Sequence, residues 1–151
     1  VTTAAPAAAR GCDILLVEDD AADAMLIEEA LLEHGTARIL HKAVDGVAAL
    51  EHLRTPGVDR PDLIVLDLNM PRMNGRELLA VLKTDEQLKV IPVVVLSTSS
   101  APQDVAEAYR SHANAFITKP VTLDEFAQAV RSIDAFFLDT ATRVPKEWDQ
   151  G

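Results

Sequence analysis

Four apolar runs in this 151-residue chain end in side chains that can do chemistry. "ILLV" at 14–17 runs into Glu18, Asp19 and Asp20, and "LIVL" at 63–66 runs into Asp67, with Asn69 two positions on. "VVVL" at 93–96 ends in Ser97, Thr98 and Ser99, and "AFI" at 115–117 ends in Thr118 and Lys119. Clustered carboxylates repel one another and resist burial unless a cation offsets them. A few oxygen ligands with room left for water suit Mg²⁺, so Glu18, Asp19 and Asp67 together could hold that ion and leave positions open for a phosphoryl group. Lys119 would supply positive charge from the other side, pairing with Asp67 at rest and with a phosphoryl oxygen afterwards. The Ser97 hydroxyl could donate to the same group. Such a set suits phosphoryl transfer to an aspartate, in which the protein mainly positions groups and compensates charge.

These residues can converge only if the runs lie side by side. The runs alternate with stretches of helical period near 21–34, 46–54, 76–85, 102–112 and 122–138, the pattern of a parallel sheet wrapped by helices. A fifth run, "RILHKAV" at 38–44, is more polar and suits an edge of the sheet; it ends in Asp45-Gly46, which reads as a turn and helix cap. The others are β-branched and lack polar alternation, as strands buried on both faces do. In the last helical stretch Leu123, Phe126, Val130, Ile133 and Phe137 recur at spacings of three and four and make one apolar face. Thr122 with Glu125 offers a capping box for it. The expected fold is α/β: a doubly wound, five-stranded parallel sheet with five helices. In such sheets ligands bind beyond the carboxyl ends of the strands, where the chemical residues stand.

Composition excludes several classes. A chain of this length with 48% hydrophobic residues has room for one domain. The net charge of −10, without a basic stripe, disfavours direct nucleic-acid binding. Cys12 is the single cysteine, so an internal disulfide and a multi-thiolate zinc site are excluded, and a cytoplasmic location is expected. No run approaches the roughly 20 apolar residues of a membrane span. The histidines His34, His41, His52 and His112 show no metal-ligand spacing. None of the glycines forms a phosphate-binding loop. The stretch "VTTAAPAAARG" reads as a mobile tail, dividing the chain into a tail at 1–12, a folded unit at 13–138 and an extension at 139–151.

"ILLVEDD", "PDLIVLDLNMPRMNG", "IPVVVLSTS" and "AFITKP" resemble the defining segments of response-regulator receiver domains, the phosphoaccepting half of two-component signalling. The likeness covers about residues 13 to 138. Asp67 and Ser97 lie 30 positions apart, and Ser97 and Lys119 lie 22 apart, as the family pattern requires. The resemblance implies that Asp67 is the phosphoacceptor for a sensor histidine kinase. It implies that Glu18, Asp19 and Asp67, with the Asn69 backbone carbonyl, hold Mg²⁺. Ser97 and Phe116 match the switch hydroxyl and switch aromatic, and Lys119 the family lysine. Asn69 and Ser99 stand where the family tunes phosphoryl lifetime, and Lys119-Pro120 matches a bond usually cis in the family. Three residues depart from the commoner pattern: Glu18 for Asp, Ser97 for Thr and Phe116 for Tyr. "HANAFITKPVTLDEFAQAVRSIDAFFL" is further similar to stand-alone regulators paired with bacterial phytochrome kinases, which commonly form homodimers. Phe136, Phe137 and Leu138 offer more apolar surface than one helix face buries, and make a candidate interface.

Single features also have plainer readings. Three acids in a row suit a solvated helix start, which is the reading for Asp20. Asp67 with Lys119 could be a buried ion pair without chemistry, and Phe116 could simply fill core. A phosphohydrolase with an aspartate nucleophile would need a second Asp two positions after Asp67, where this chain has Asn69. A phosphate-independent adaptor with the same fold is the other alternative.

Overall fold

The computed structural model describes residues 12–32, 38–68, 70 and 72–145. Residues 1–11, 33–37, 69, 71 and 146–151 lie outside the described residues, and with them Asn69, His34 and most of the stretch read as a tail. Five strands, β1 (Cys12–Val17), β2 (Arg38–Ala43), β3 (Leu63–Leu66), β4 (Val93–Ser97) and β5 (Ala115–Thr118), alternate with five helices. These are α1 (Ala21–Leu32), α2 (Gly46–Leu53), α3 (Gly75–Thr84), α4 (Pro102–Arg110) and α5 (Leu123–Asp134). All strand pairs are parallel, in the order β2-β1-β3-β4-β5, so the winding reverses at β1/β3. β1 opens at Cys12, a residue assigned to the tail by sequence.

Alternation along each strand builds two cores at once. Leu15, Val17, Ile64, Leu66, Val93 and Val95 face one side of the sheet, where they meet Leu78, Leu79 and Leu82 of α3. Ile14, Leu16, Leu63, Val65, Val94 and Leu96 face the other and meet α1 and α5 through Ile27, Leu31, Phe126, Val130 and Ile133. Apart from Asp13 and Ser97, both parities of β1, β3 and β4 are apolar because both faces are covered. β2 lies at an edge, as its polar residues predict, and it is mostly exposed or half-buried.

Local chemistry starts the helices. Asp45 caps α2 by accepting from the Ala48 N–H, and Thr122 caps α5 by accepting from Glu125. The full reciprocal box closes at α3, between Asn74 and Glu77.

Two expectations need correction. The last helix was expected to run regularly to 138, but its α-helical part ends at Asp134 and a π-helical segment follows over Ala135–Thr140. Within it the Ala141 N–H donates to the Phe136 carbonyl five residues back, at 2.7 Å. The wider turn changes which side chains face inward, and Leu138 packs into the core beneath α5 while Phe136 stays exposed. The Lys119–Pro120 bond is trans, with no cis bond among the described residues; either isomer is accessible before proline.

Candidate functional site

The strand register delivers the site. Val17 pairs with Leu66, Leu66 with Val95 and Ser97 with Thr118, so these strands end near one line. The ladders continue a step past the strands: the Asp67 N–H donates to the Val17 carbonyl at 3.0 Å and the Lys119 N–H to the Ser97 carbonyl at 2.7 Å. Glu18 is tied to β2 in the same way, donating to the Ala43 carbonyl at 3.0 Å. The residue after each apolar run is therefore anchored by backbone before its side chain makes any contact.

Glu18, Asp19 and Asp67 converge, each offering a carboxylate oxygen within 4.8 Å of the others. Glu18 and Asp67 are buried and Asp19 is exposed. Burial pushes the Glu18 carboxyl up to about 7; the Lys119 hydrogen bond opposes this and the Asp67 charge reinforces it. Three carboxylates in so small a space repel one another, and three oxygen donors with one side open suit a hard divalent cation. The residues present thus fit Mg²⁺.

Lys119 reaches the cluster from β5. Its Nζ lies 2.8 Å from Glu18 Oε1 and 2.9 Å from Asp23 Oδ2, but 3.9 Å from Asp67 Oδ1. Burial alone would lower its pKa, but the hydrogen bonds to Asp23 and Glu18, with the charges of Glu18 and Asp67, outweigh burial and hold it above the ordinary lysine value. Asp23, in the first turn of α1, escaped the sequence reading. The signal available was an acid in the first turn of the helical stretch that follows Glu18 and Asp19.

Ser97 closes β4 and is fully buried; its Oγ accepts from the Ser99 N–H at 3.1 Å. Ser99 Oγ donates to Asp104 Oδ2 at 2.5 Å, and Arg76 Nη2 of α3 donates to Asp104 Oδ1 at 3.0 Å. The loop that follows Ser97 is thereby tied to both α4 and α3. The Ser99 hydrogen bond and then the Arg76 hydrogen bond hold the Asp104 carboxyl below the usual range. Phe116 is half-buried against the α3 side of the core, and its N–H donates to the Tyr109 hydroxyl at 3.1 Å. Phe136 and Phe137 lie away from this edge, beyond α5, with their rings edge to face at 5.0 Å. Solvent reaches the site on two sides of α1: a cleft of about 430 Å³ beside Glu18, Asp19 and Met25, and one of about 310 Å³ beside Asp23, Thr98 and Lys119.

Comparison with known proteins agrees with this geometry. The family model of the response regulator receiver domain matches residues 14–131. Response regulator Rcp1 of Synechocystis is 43% identical over 136 residues, covering 85% of this chain and 90% of that protein. The crystal structure of the phosphorylated cyanobacterial phytochrome response regulator RcpA superposes with a TM-score of 0.87 at 44% identity, covering 90% of this chain and all of that one. The Mn²⁺-bound form of Rcp1 gives a TM-score of 0.84 at 41% identity, over 89% of this chain and 99% of that one. The sheet order, the acids at its carboxyl edge and these relatives agree that the chain belongs to the response-regulator receiver domain family, the phosphoaccepting side of two-component signalling.

Proposed function

We propose that Asp67 is the phosphoacceptor of this receiver and that Glu18, Asp19, Ser97 and Lys119 serve the transfer. The observation that carries this reading is the convergence of three carboxylates within 4.8 Å of one another at the carboxyl edge of the sheet, with the Lys119 ammonium 3.9 Å from Asp67. An Asp67 carboxylate oxygen attacks the phosphorus of a phosphohistidine on a sensor histidine kinase. The new O–P bond forms as the P–N bond breaks, and the freed imidazole takes up a proton. Mg²⁺, held by Glu18, Asp19 and Asp67 with the Asn69 carbonyl as the family pattern implies, would offset the carboxylate charge and that of the phosphoryl oxygens. Lys119 balances the remaining negative charge, and the Ser97 hydroxyl donates to a phosphoryl oxygen.

The added charge draws Ser97 and Lys119 towards Asp67, lets Phe116 fill the space behind Ser97, and alters the α4-β5-α5 face that meets other proteins. Water hydrolyses the acyl phosphate and resets the receiver, an intrinsic autophosphatase step. The receiver unit read at 13–138 takes in Cys12 of β1 and the π-helical segment to Thr140, with the remaining residues flanking it, in a cytoplasmic protein that does not bind nucleic acid. Among the described residues no helix is long and apolar enough to cross a membrane. The names of Rcp1 and RcpA support a kinase of the phytochrome kind. A second copy of the chain would meet the exposed Phe136 and its edge-on neighbour Phe137, with Leu138 held inside its own protomer.

The test is a Mg²⁺-dependent mass shift on incubation with acetyl phosphate. One phosphoryl group is expected on the wild type and none on Asp67→Asn. No adduct on the wild type, together with no beryllofluoride binding, would favour the phosphate-independent adaptor.

A further inference from the structure

The Lys119 ammonium has three protons to give, and at rest two are directed away from the phosphoacceptor. Glu18 and Asp23 receive them at 2.8 Å and 2.9 Å, whereas 3.9 Å to Asp67 is an ion-pair distance too long for a hydrogen bond. A phosphoryl group on Asp67 must win the ammonium from these two carboxylates. Glu18 is shared with the acidic cluster, while Asp23 lies outside it and has no second claim of that kind. Asp23 is also well placed to hold on. It sits in the first turn of α1, where its N–H donates to Asp20 Oδ1 at 3.0 Å. The contact is half sheltered, with the Lys119 side chain 7% exposed and that of Asp23 31% exposed. Charge-assisted hydrogen bonds in such surroundings are stronger than open surface pairs.

We propose that Asp23 is a positioning residue that competes with the phosphoryl group for Lys119, and so sets how readily the phosphorylated arrangement is populated. The proposal rests on Asp67 being the phosphoacceptor and adds a regulator to that site. Asp23 touches neither the reacting oxygen nor the phosphorus; it acts through the ammonium. Removing its carboxylate leaves Lys119 with one fewer resting partner, which favours the bound state by whatever the lost contact was worth.

The experiment is a titration of the full chain with beryllofluoride in saturating Mg²⁺, followed by fluorine NMR, for the wild type, Asp23→Asn, Asp23→Ala, Asp23→Glu and Asp20→Asn. Asp23→Asn and Asp23→Ala are expected to bind roughly three- to tenfold tighter than wild type. Asp23→Glu, which restores a carboxylate within reach, should return most of the way. Asp20→Asn removes a neighbouring charge, keeps the helix cap and leaves Lys119 untouched; it should shift affinity by less than about twofold. Melting curves of the free proteins serve as the check on folding. If the wild type binds and the two Asp23 variants bind no tighter, or if Asp20→Asn tightens binding as much as they do, the competition is overturned while the phosphoacceptor reading stands. If the wild type binds nothing, the phosphoacceptor reading fails and this proposal falls with it.

Discussion

The Arg72 guanidinium grips the Asp45 carboxylate with two hydrogen bonds, Nε to Oδ2 at 2.5 Å and Nη2 to Oδ1 at 3.0 Å. Arg72 adopts a left-handed backbone with φ of 58°, which costs an L-residue free energy that glycine avoids. Asp45 is at the same time the cap of α2, and beside it the Gly46 N–H donates to the Met73 carbonyl at 2.9 Å. The loop that leaves β3 just after Asp67 is therefore clipped to the start of α2. The Arg72 hydrogen bond first, and the Ala48 N–H second, hold the Asp45 carboxyl below the usual range.

Arg72→Ala loses the clip and keeps the strained backbone, whereas Arg72→Gly loses the clip and relieves the strain. Both are expected to melt below wild type, with the glycine variant roughly 2–4 °C above the alanine variant. Thermal unfolding followed by circular dichroism ranks the three. An alanine variant at or above the glycine variant would mean that φ at 72 is not strained.

Glu18 ties stability to pH with an unusual sign. Its folded pKa, about 7, lies above the ordinary 4.5, so the folded chain holds this proton more tightly than the unfolded chain does. In the metal-free protein its contribution is complete below about pH 4.5 and is lost as the pH rises through about 7. Glu18→Gln imitates the protonated form at every pH. It is expected to melt above wild type at a pH of about 8, by roughly 2–4 °C for each kcal/mol, with the gap narrowing towards pH 4.5. Mg²⁺ should reverse the order by favouring the ionised carboxylate. Melting curves over that pH range, with and without the metal, check both statements.

Gly75 opens α3 hard against the backbone of Asp67. A Cβ there would collide with the Asp67 carbonyl oxygen and meet Leu68 Cα at 2.6 Å, and backbone cannot swing aside as a flexible side chain can. Gly75→Ala is expected to cost about 1–3 kcal/mol and to slow phosphorylation of Asp67, because relief comes only by shifting the strand end. Denaturant unfolding and acetyl phosphate labelling rates read the two effects; an alanine variant with wild-type stability and rate would contradict this packing.

At the other end of the sheet, Arg38 of β2 and Asp134 of α5 form an ion pair at 2.8 Å, with side chains 1% and 3% exposed. Arg38→Met strands a buried carboxylate and is expected to cost about 3–5 kcal/mol. Arg38→Met combined with Asp134→Leu removes both charges and should recover most of that loss. Urea unfolding of the single and double variants measures the difference, and a double variant as unstable as the single one would refute this account.

Much of the fold was legible because strand and helix periods are local. Runs of β-branched residues made β1, β3 and β4, and the polarity of "RILHKAV" put β2 at an edge. The acids, hydroxyls and lysine were legible as a set because each directly follows a run, and the ends of parallel strands align. Cys12 joining β1 and the π-helical turn after Asp134 were not legible, since both depend on long-range packing rather than on residue period.

Side-chain partners across elements were the least legible. Sequence paired Lys119 with Asp67, and that ion pair stands at 3.9 Å, but the fold also brings the first turn of α1 within reach and the ammonium gives its hydrogen bonds to Glu18 and Asp23. Leu138 looked available to a partner until the π-helical segment put it in the core. Sequence alone therefore determined which residues stand at the carboxyl edge, because the end of an apolar run is a property of neighbours in the chain. Tertiary packing determined which charge each of them holds, because an ion pair depends on distances of a few ångströms between side chains far apart in sequence.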